Sequence, residues 1–205
     1  MSLNQLKLTI NPEGWRLFTE RKSNAAFIAA REKVFARDQH TCQFCGFQTE
    51  EFQEVVNLDQ NYRNNSFANL VTACCFCAQC FFVESVGQDV YGGASLIYCP
   101  ELEQVQINSM CHVLFCAIAK NPAQRDLSQS IYRTLKFRSQ PVEEKFGEGT
   151  ADPAVFGQSL FEADITSPEL LSKIFEDLRL LPSRAKFRAQ IERWVESTSL
   201  VGVSK

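Results

Sequence analysis

The chain has 205 residues, of which 45% are apolar and 22% charged, and its formal net charge is −3. This length fits one domain with a full core, or a small module with an extension. Residues 1–7 contain no apolar signal segment, and no stretch approaches the ~18 apolar residues of a membrane span. These features argue against export and membrane insertion and predict a cytoplasmic protein whose thiols stay reduced.

The charges are unevenly distributed along the chain. Residues 1–40 carry a net charge of +3, residues 41–110 a net −7 and residues 111–205 a net +1. A surface that binds nucleic-acid phosphates needs clustered Lys and Arg side chains. We therefore expect no nucleic-acid binding by the acidic middle segment.

Three elements are predicted before the first cysteine. A loosely alternating apolar pattern predicts a short strand over 3–10. A helix begins at Asn11, because asparagine can cap a helix and the following Pro12 suits its first turn. Apolar residues at helical spacing predict a second helix over residues 23–38, which leads into the cysteine-rich segment.

Two CxxC pairs, Cys42–Cys45 and Cys74–Cys77, are separated by 28 residues. Cysteines at this spacing can turn back on one point, and Gly46 allows a tight turn after the first pair. Two such knuckles supply four soft sulfur ligands in a tetrahedron, which is the geometry of a closed structural Zn²⁺ site. The sequence therefore predicts one structural zinc ion bound by Cys42, Cys45, Cys74 and Cys77.

Other roles for the cysteines stay open at this point. The chain has nine cysteines, and six of them lie between positions 42 and 80. Cys80 forms a further CxxC with Cys77, and Cys75 lies beside Cys74, so Cys75 or Cys80 could replace a predicted ligand. An aromatic residue before the second cysteine of each chosen pair favours the four ligands given above. Buried apolar cysteines and a thiol redox site are the alternatives to a metal.

The rest of the pattern is mixed and then mostly helical. Strands are predicted at 52–58 and 94–98, and a wide apolar stripe predicts a central helix over 100–120. His112 in that helix is interpreted as a satisfied or exposed histidine rather than a ligand. The stretch 139–152 is rich in Gly, Glu and Pro and is predicted to be a flexible connector. Helix-capping residues beside prolines predict four further helices, which begin at Asn121, Asp152, Ser167 and Ser183.

Residues 31–77 resemble the HNH endonuclease family with its stabilising zinc knuckles. The residues that carry the resemblance are Arg31, Arg37-Asp38, Cys42, Cys45-Gly46, Asn69-Leu70-Val71-Thr72-Ala73-Cys74 and Cys77. It implies a ββα unit between the knuckles and a catalytic histidine at the position of Asn57. Asn69 matches the family's asparagine, but the last metal-binding position falls at Ala78. Asn57 cannot accept a proton near neutral pH and Ala78 has no ligand atom, so we expect no nuclease activity.

The expected fold class is therefore α+β. It comprises a degenerate HNH-like zinc-knuckle module over 24–99 and a mostly helical extension over 100–205, which together form one compact unit. Asp59 could bind a metal weakly, so a metal-dependent HNH-type nuclease is kept as the enzyme alternative.

Nearly the whole chain resembles the IcmJ family, also called the DotN family, of the Dot/Icm type IVB secretion system. The degenerate HNH-like segment, the length, and the stretches 152–157 and 181–184 carry this resemblance. It implies a non-catalytic subunit of the coupling complex, peripheral to the inner membrane, that supports effector translocation and virulence. The implied partners are the C-terminal tail of the coupling ATPase and other coupling-complex subunits.

Two apolar stripes in the C-terminal part predict where such a partner binds. One stripe runs through residues 170–178 and the other through Phe187, Ile191 and Trp194. Trp and Arg are enriched at binding hot spots, and Arg184 and Arg188 lie near this tryptophan. We therefore expect a partner-binding groove at Phe187, Ile191, Trp194, Arg184 and Arg188. The alternative is that both stripes complete the chain's own core.

Overall fold

The computed structural model describes residues 3–88, 91–165 and 167–201, with the backbone alone for 198–201. Within this part the chain forms nine α-helices and four short strands. The helices are α1 (Pro12–Glu20), α2 (Ala25–Arg37), α3 (Cys75–Ala78), α4 (Gln104–Lys120), α5 (Pro122–Phe137), α6 (Gln140–Phe146), α7 (Pro153–Glu162), α8 (Pro168–Ile174) and α9 (Arg188–Val201). The strands are β1 (Gln53–Asn57), β2 (Leu70–Cys74), β3 (Ala94–Tyr98) and β4 (Leu178–Pro182). The predicted α+β class is confirmed.

The strands form two separate antiparallel pairs. β1 pairs with β2, with Gln53 opposite Cys74 and Asn57 opposite Leu70. β3 pairs with β4, with Tyr98 opposite Leu178. The second pair joins a strand just beyond the cysteine-rich segment to one near the C-terminus, so it ties the two parts of the chain together.

Most buried apolar residues belong to one cluster that includes side chains from Leu6 to Trp194. Aromatic rings fill much of it, and Phe18, Phe44, Phe76, Phe82 and Phe115 are all fully buried. The cluster draws on both sides of residue 100. The division of the chain at that position stays a prediction.

Local capping explains where several helices begin. Asn11 accepts a hydrogen bond from the backbone N–H of Gly14, and Asp152 accepts from Ala154 and Val155. Asn121 and Ser167 cap α5 and α8 in the same way, each followed by a proline. The predicted starts at these four residues are confirmed.

The structure corrects four sequence predictions. The segment 3–10 forms no strand; its backbone makes isolated hydrogen bonds, from Asn4 to residue 43 and between Thr9 and residues 80 and 83. The predicted flexible connector over 139–152 contains α6, whose Val142 is 1% exposed. The helix predicted from Ser167 ends at Ile174, and Leu178, the last residue of the stripe over 170–178, begins β4 instead. The helix predicted to start at Ser183 begins at Arg188.

Candidate metal centre

The first cysteine pair lies in a tight turn that the backbone closes on itself. The N–H of Cys42 donates to the carbonyl of Phe47 at 2.9 Å, and the N–H of Gly46 donates to the carbonyl of Cys42 at 3.0 Å. Gly46 has a φ of +76°, a conformation that glycine adopts without steric cost. The turn directs the backbone so that the side chains of Cys42 and Cys45 approach one point.

The second pair lies where a strand meets a helix. β2 ends at Cys74, which has extended backbone angles, and α3 begins at the next residue. Cys77 follows within that first helical turn and is fully buried. The abrupt change from strand to helix brings the sulfurs of Cys74 and Cys77 to the same side.

The four predicted ligand sulfurs form one cluster. The Sγ atoms of Cys42, Cys45, Cys74 and Cys77 all lie within 4.8 Å of one another. Those of Cys45 and Cys74 are 3.6 Å apart. With Zn–S bonds of about 2.3 Å, a tetrahedral site has sulfur–sulfur edges of about 3.8 Å, so the cluster has the dimensions of a metal site. These four cysteines could hold one metal ion.

The two competing cysteines lie outside this cluster. The Cys80 thiol donates to the carbonyl of Phe76 at 3.3 Å. Cys75 lines a separate cavity of about 500 Å³ beside Trp15 and Tyr91. Neither belongs to the group of four sulfurs.

The electrostatics of the cluster favour a cation. Desolvation opposes ionisation of Cys42, but hydrogen bonds from the other three thiols outweigh it and hold the pKa of Cys42 well below its usual range. Burial raises the pKa of Cys74 and of Cys77 well above the usual range. Three buried thiolates and the half-buried Cys45 therefore need a positive charge among them, which a bound divalent metal would supply.

Two polar residues of α4 contact the cluster: Asn108, which the sequence analysis did not single out, and His112, which it interpreted as a satisfied or exposed histidine and which is 4% exposed. The side-chain amide of Asn108 donates to Sγ of Cys77 at 3.2 Å. Nε2 of His112 lies 3.3 Å from Sγ of Cys74, and burial lowers the pKa of this histidine to about 3. The signal that could have found them is their spacing, because two polar residues four apart share the apolar face of a buried helix.

The comparison with curated proteins decides the family. The chain is 58% identical over 193 residues to the type 4 apparatus protein DotN of Legionella pneumophila strain Philadelphia 1. The match covers 94% of this chain and 90% of that protein. The chain belongs to the DotN family. Because the match spans nearly every residue, the relationship to DotN extends beyond the cysteine-rich segment. No protein-family model matches the sequence.

In this member of the DotN family, the position implied for a catalytic histidine is structural. Asn57 is fully buried. Its side chain accepts a hydrogen bond from Nη1 of Arg21 at 2.6 Å and donates to the carbonyls of Asn61 and Asn64 at 3.0 and 2.8 Å. These bonds fix the loop after β1, and they engage both amide hydrogens and the amide oxygen inside the protein.

The neighbouring polar residues hold the same loop. Asp59 accepts hydrogen bonds from the side chains of Asn64 and Asn69 at 2.7 and 2.8 Å. Asn69 in turn accepts from the backbone N–H of Asp59 at 3.0 Å. Ala78, at the last HNH position, is fully buried. The polar groups of Asp59 and Asn69 are therefore engaged with each other in a surface loop.

The residues predicted to bind a partner are divided between the core and the surface. Phe187, Ile191 and Trp194 are 2–4% exposed and belong to the main buried cluster. These three side chains therefore pack in the chain's own core, as the alternative in the sequence analysis has it. Arg184 and Arg188 are exposed, and Arg188 pairs with Glu192 at 2.8 Å.

No helix in the described ranges combines the length and apolar character needed to cross a membrane.

Proposed function

We propose that the chain is a non-catalytic, zinc-stabilised adaptor of a Dot/Icm type IVB secretion system. In this role it binds the C-terminal tail of the coupling ATPase and works with other coupling-complex subunits, in the cytoplasm at the inner membrane. The observation that carries the proposal is the 58% identity to a type 4 apparatus protein across nearly the whole chain. The implied degenerate HNH-like fold of residues 24–99 is part of the same proposal.

The metal in this proposal is zinc in a structural role. Four thiolates at tetrahedral dimensions form a closed site, which leaves no open position for a substrate or water. Thiolate ligands also favour Zn²⁺ over the hard cations Mg²⁺ and Ca²⁺. The cysteines come from separate segments, so the ion would fix the first turn against β2 and α3.

The absence of catalysis is supported by the environment of Asn57. A general base for phosphodiester cleavage needs an ionisable group within reach of the attacking water. Asn57 is instead fully buried, and its side-chain amide is hydrogen-bonded to Arg21 and to the loop that follows β1. The middle segment also carries a net charge of −7, which disfavours a nucleic-acid substrate.

Titration of the candidate ATPase tail peptide into the purified protein tests the adaptor role. We expect submicromolar binding that is weakened by Arg184→Glu combined with Arg188→Glu. The control is Arg133→Glu, which removes another exposed arginine on α5. Undetectable binding of the tail to a folded, metal-loaded protein would contradict the proposal.

The same titration also tests a second candidate surface for the partner, by means of one further variant. A cleft of about 850 Å³ lies between residues 5–10 and α8, and Lys173 is one of its lining residues. Binding that is weakened by Lys173→Glu but not by the two arginine changes would move the interface to this cleft. Metal-dependent plasmid cleavage by the wild-type protein would instead favour the nuclease.

A further inference from the structure

Asn108 is held so that its amide N–H₂ group faces the cysteine cluster. Nε2 of Gln104 donates to Oδ1 of Asn108 at 2.9 Å and to the carbonyl of Leu180 at 2.9 Å. The N–H of Leu180 donates back to Oε1 of Gln104 at 2.8 Å. Because its oxygen already accepts from Gln104, Asn108 presents its nitrogen to Sγ of Cys77 and to the carbonyl of Phe76, each 3.2 Å away. The backbone of β4 thus sets the orientation of a donor to a ligand sulfur.

His112 is held by aromatic rings from both knuckles. Its imidazole stacks between Phe47 and Phe76, with ring centroids 3.7 and 4.2 Å away and interplanar angles of 8° and 18°. Trp194 packs against it at 5.1 Å. This stack directs Nε2 at Sγ of Cys74, 3.3 Å away. Among the described residues, Nδ1 of His112 has no hydrogen-bond partner.

When a metal ion is bound to the four cysteines, the chemistry of the thiolates decides which group donates in the contacts of Asn108 and His112. A metal-bound thiolate has no proton, so its sulfur can only accept a hydrogen bond. The imidazole must therefore carry hydrogen on Nε2, whether it is neutral or charged. Four thiolates on one divalent cation leave a net charge of about −2 in a buried place, where an anion is stable only with donors around it. Asn108 and His112 are fully or nearly fully buried and supply two of them.

We propose that Asn108 and His112 are positioning residues that retain the metal by donating hydrogen bonds to the thiolates of Cys77 and Cys74. This inference rests on the zinc site proposed above. Donation draws electron density from the sulfurs, so it lowers their basicity and slows their protonation and release. It also connects metal retention to the C-terminal part of the chain, because Gln104 links Asn108 to β4.

Two substitutions remove the donors while keeping the shape of each side chain. His112→Phe preserves a ring between Phe47 and Phe76 but has no N–H. Asn108→Leu is close in size to asparagine and has no donor. His112→Gln is the rescue variant, because a glutamine amide can place an N–H near the position of the imidazole Nε2. The control is Ser109→Ala, which removes the bond from the Ser109 hydroxyl to the carbonyl of Cys45 without touching a sulfur.

Two measurements test the proposal on the full-length protein. The first is the rate of zinc transfer to a colorimetric chelator, which we expect to rise about 10-fold or more in each donor-deficient variant, in line with the effect of groups that orient metal ligands. The second is the sulfur-to-metal charge-transfer band of the cobalt-loaded protein, which we expect to move to lower energy. His112→Gln should restore both values towards wild type, and Ser109→Ala should change neither by more than about twofold in rate.

The outcomes separate this inference from the zinc site itself. If the wild-type protein contains less than one zinc ion per chain, the proposed zinc site is refuted, and this inference is refuted with it. A wild-type protein with one zinc, and donor-deficient variants with unchanged release rates and bands, overturns the inference alone. Equal effects from Ser109→Ala would also overturn it, because they would show that loosening α4 is sufficient. If one donor variant does not fold, the other still decides the result.

Discussion

Asn57 is where the HNH resemblance requires a histidine and where the structure places a buried, fully bonded amide. We predict that Asn57→His destabilises the protein and produces no DNA cleavage. The reason is the set of three hydrogen bonds that the amide makes to Arg21, Asn61 and Asn64. Arg21 itself is 8% exposed and packs over aromatic rings, and Asn57 is one of its three hydrogen-bond acceptors, beside Asn65 and the carbonyl of Val55.

The size of the effect follows from these contacts. A neutral imidazole has one donor and one acceptor, so histidine can replace two of the three bonds. The bond to a carbonyl that is lost is partly buried, so it costs about 1–2 kcal/mol, the lower part of the range for an unpaired group. The larger ring in a fully buried position costs a further ~1–3 kcal/mol. The free energy of unfolding should fall by about 2–5 kcal/mol.

Urea unfolding followed by circular dichroism measures this loss, and cleavage of supercoiled plasmid with magnesium, manganese or nickel measures activity. Leu58→His is the matched control, because it introduces the same residue one position later at a site that is 40% exposed. It should change stability by no more than about 0.5 kcal/mol. An Asn57→His protein as stable as wild type, or one that cuts plasmid in a metal-dependent way, would refute the reasoning.

Three further predictions concern the metal, a buried acid and a close contact. Cys42→Ala should lower the zinc content from one per chain to well below one and reduce stability by several kcal/mol, because structural zinc binding is coupled to folding; elemental analysis and thermal melting check this, and unchanged values would count against the site. Glu84 is 5% exposed, and burial raises its pKa from 4.5 to about 7. The folded state therefore holds this proton more tightly than the unfolded state, so the contribution of Glu84 to stability falls by about 3 kcal/mol between pH 4.5 and pH 7 and is constant above. Unfolding at a series of pH values should show the difference between Glu84→Gln and wild type growing across that window, and a constant difference would contradict the assignment. Gly157→Ala should destabilise by about 1–3 kcal/mol despite the better helix propensity of alanine, because its Cβ would lie 2.6 Å from the backbone Cα of Glu84; a rise in the unfolding midpoint would show that the backbone yields.

The features that the sequence predicted well are governed by residues close together in the chain. Asn11 and Pro12 determine where α1 begins. The same signal, a capping residue followed by a proline, predicted where α5, α7 and α8 begin. The four-sulfur cluster was also predictable, because CxxC spacing constrains each pair locally and one ion can satisfy both pairs. Local signals were sufficient in each case.

The features that were missed depend on partners far along the chain. Leu178–Pro182 is a strand because it pairs with residues 94–98, and nothing in its own pattern reveals that partner. Apolar residues at 170–178 fit a helix equally well until that pairing is known. α6 was missed for a different reason. The composition of residues 139–152, rich in Gly, Glu and Pro, is typical of a linker, but Val142 packs in the main buried cluster.

The contacts of Asn108 and His112 with the cluster were missed because the sulfurs that they approach lie more than thirty residues away in the chain. A polar residue on an apolar helix face indicates a buried partner without identifying it. The partner surface is similar: sequence pattern cannot distinguish an apolar stripe that faces the chain's own core from one that faces another protein. Trp194 lies in the core, and Arg184 at the surface remains a predicted contact.

The pairing of β3 with β4 has a consequence for biosynthesis. Both cysteine pairs and β3 leave the ribosome long before Leu178–Pro182 has been translated. During that interval a nascent chain already contains all four cysteines of the proposed metal site, while the backbone edge of β3 and the buried residues Leu96 and Ile97 lack their cover. Unpaired edges of this kind promote association between incomplete chains. A prematurely terminated chain that held the proposed zinc ion would therefore still aggregate, so metal content alone is a poor assay for completed folding.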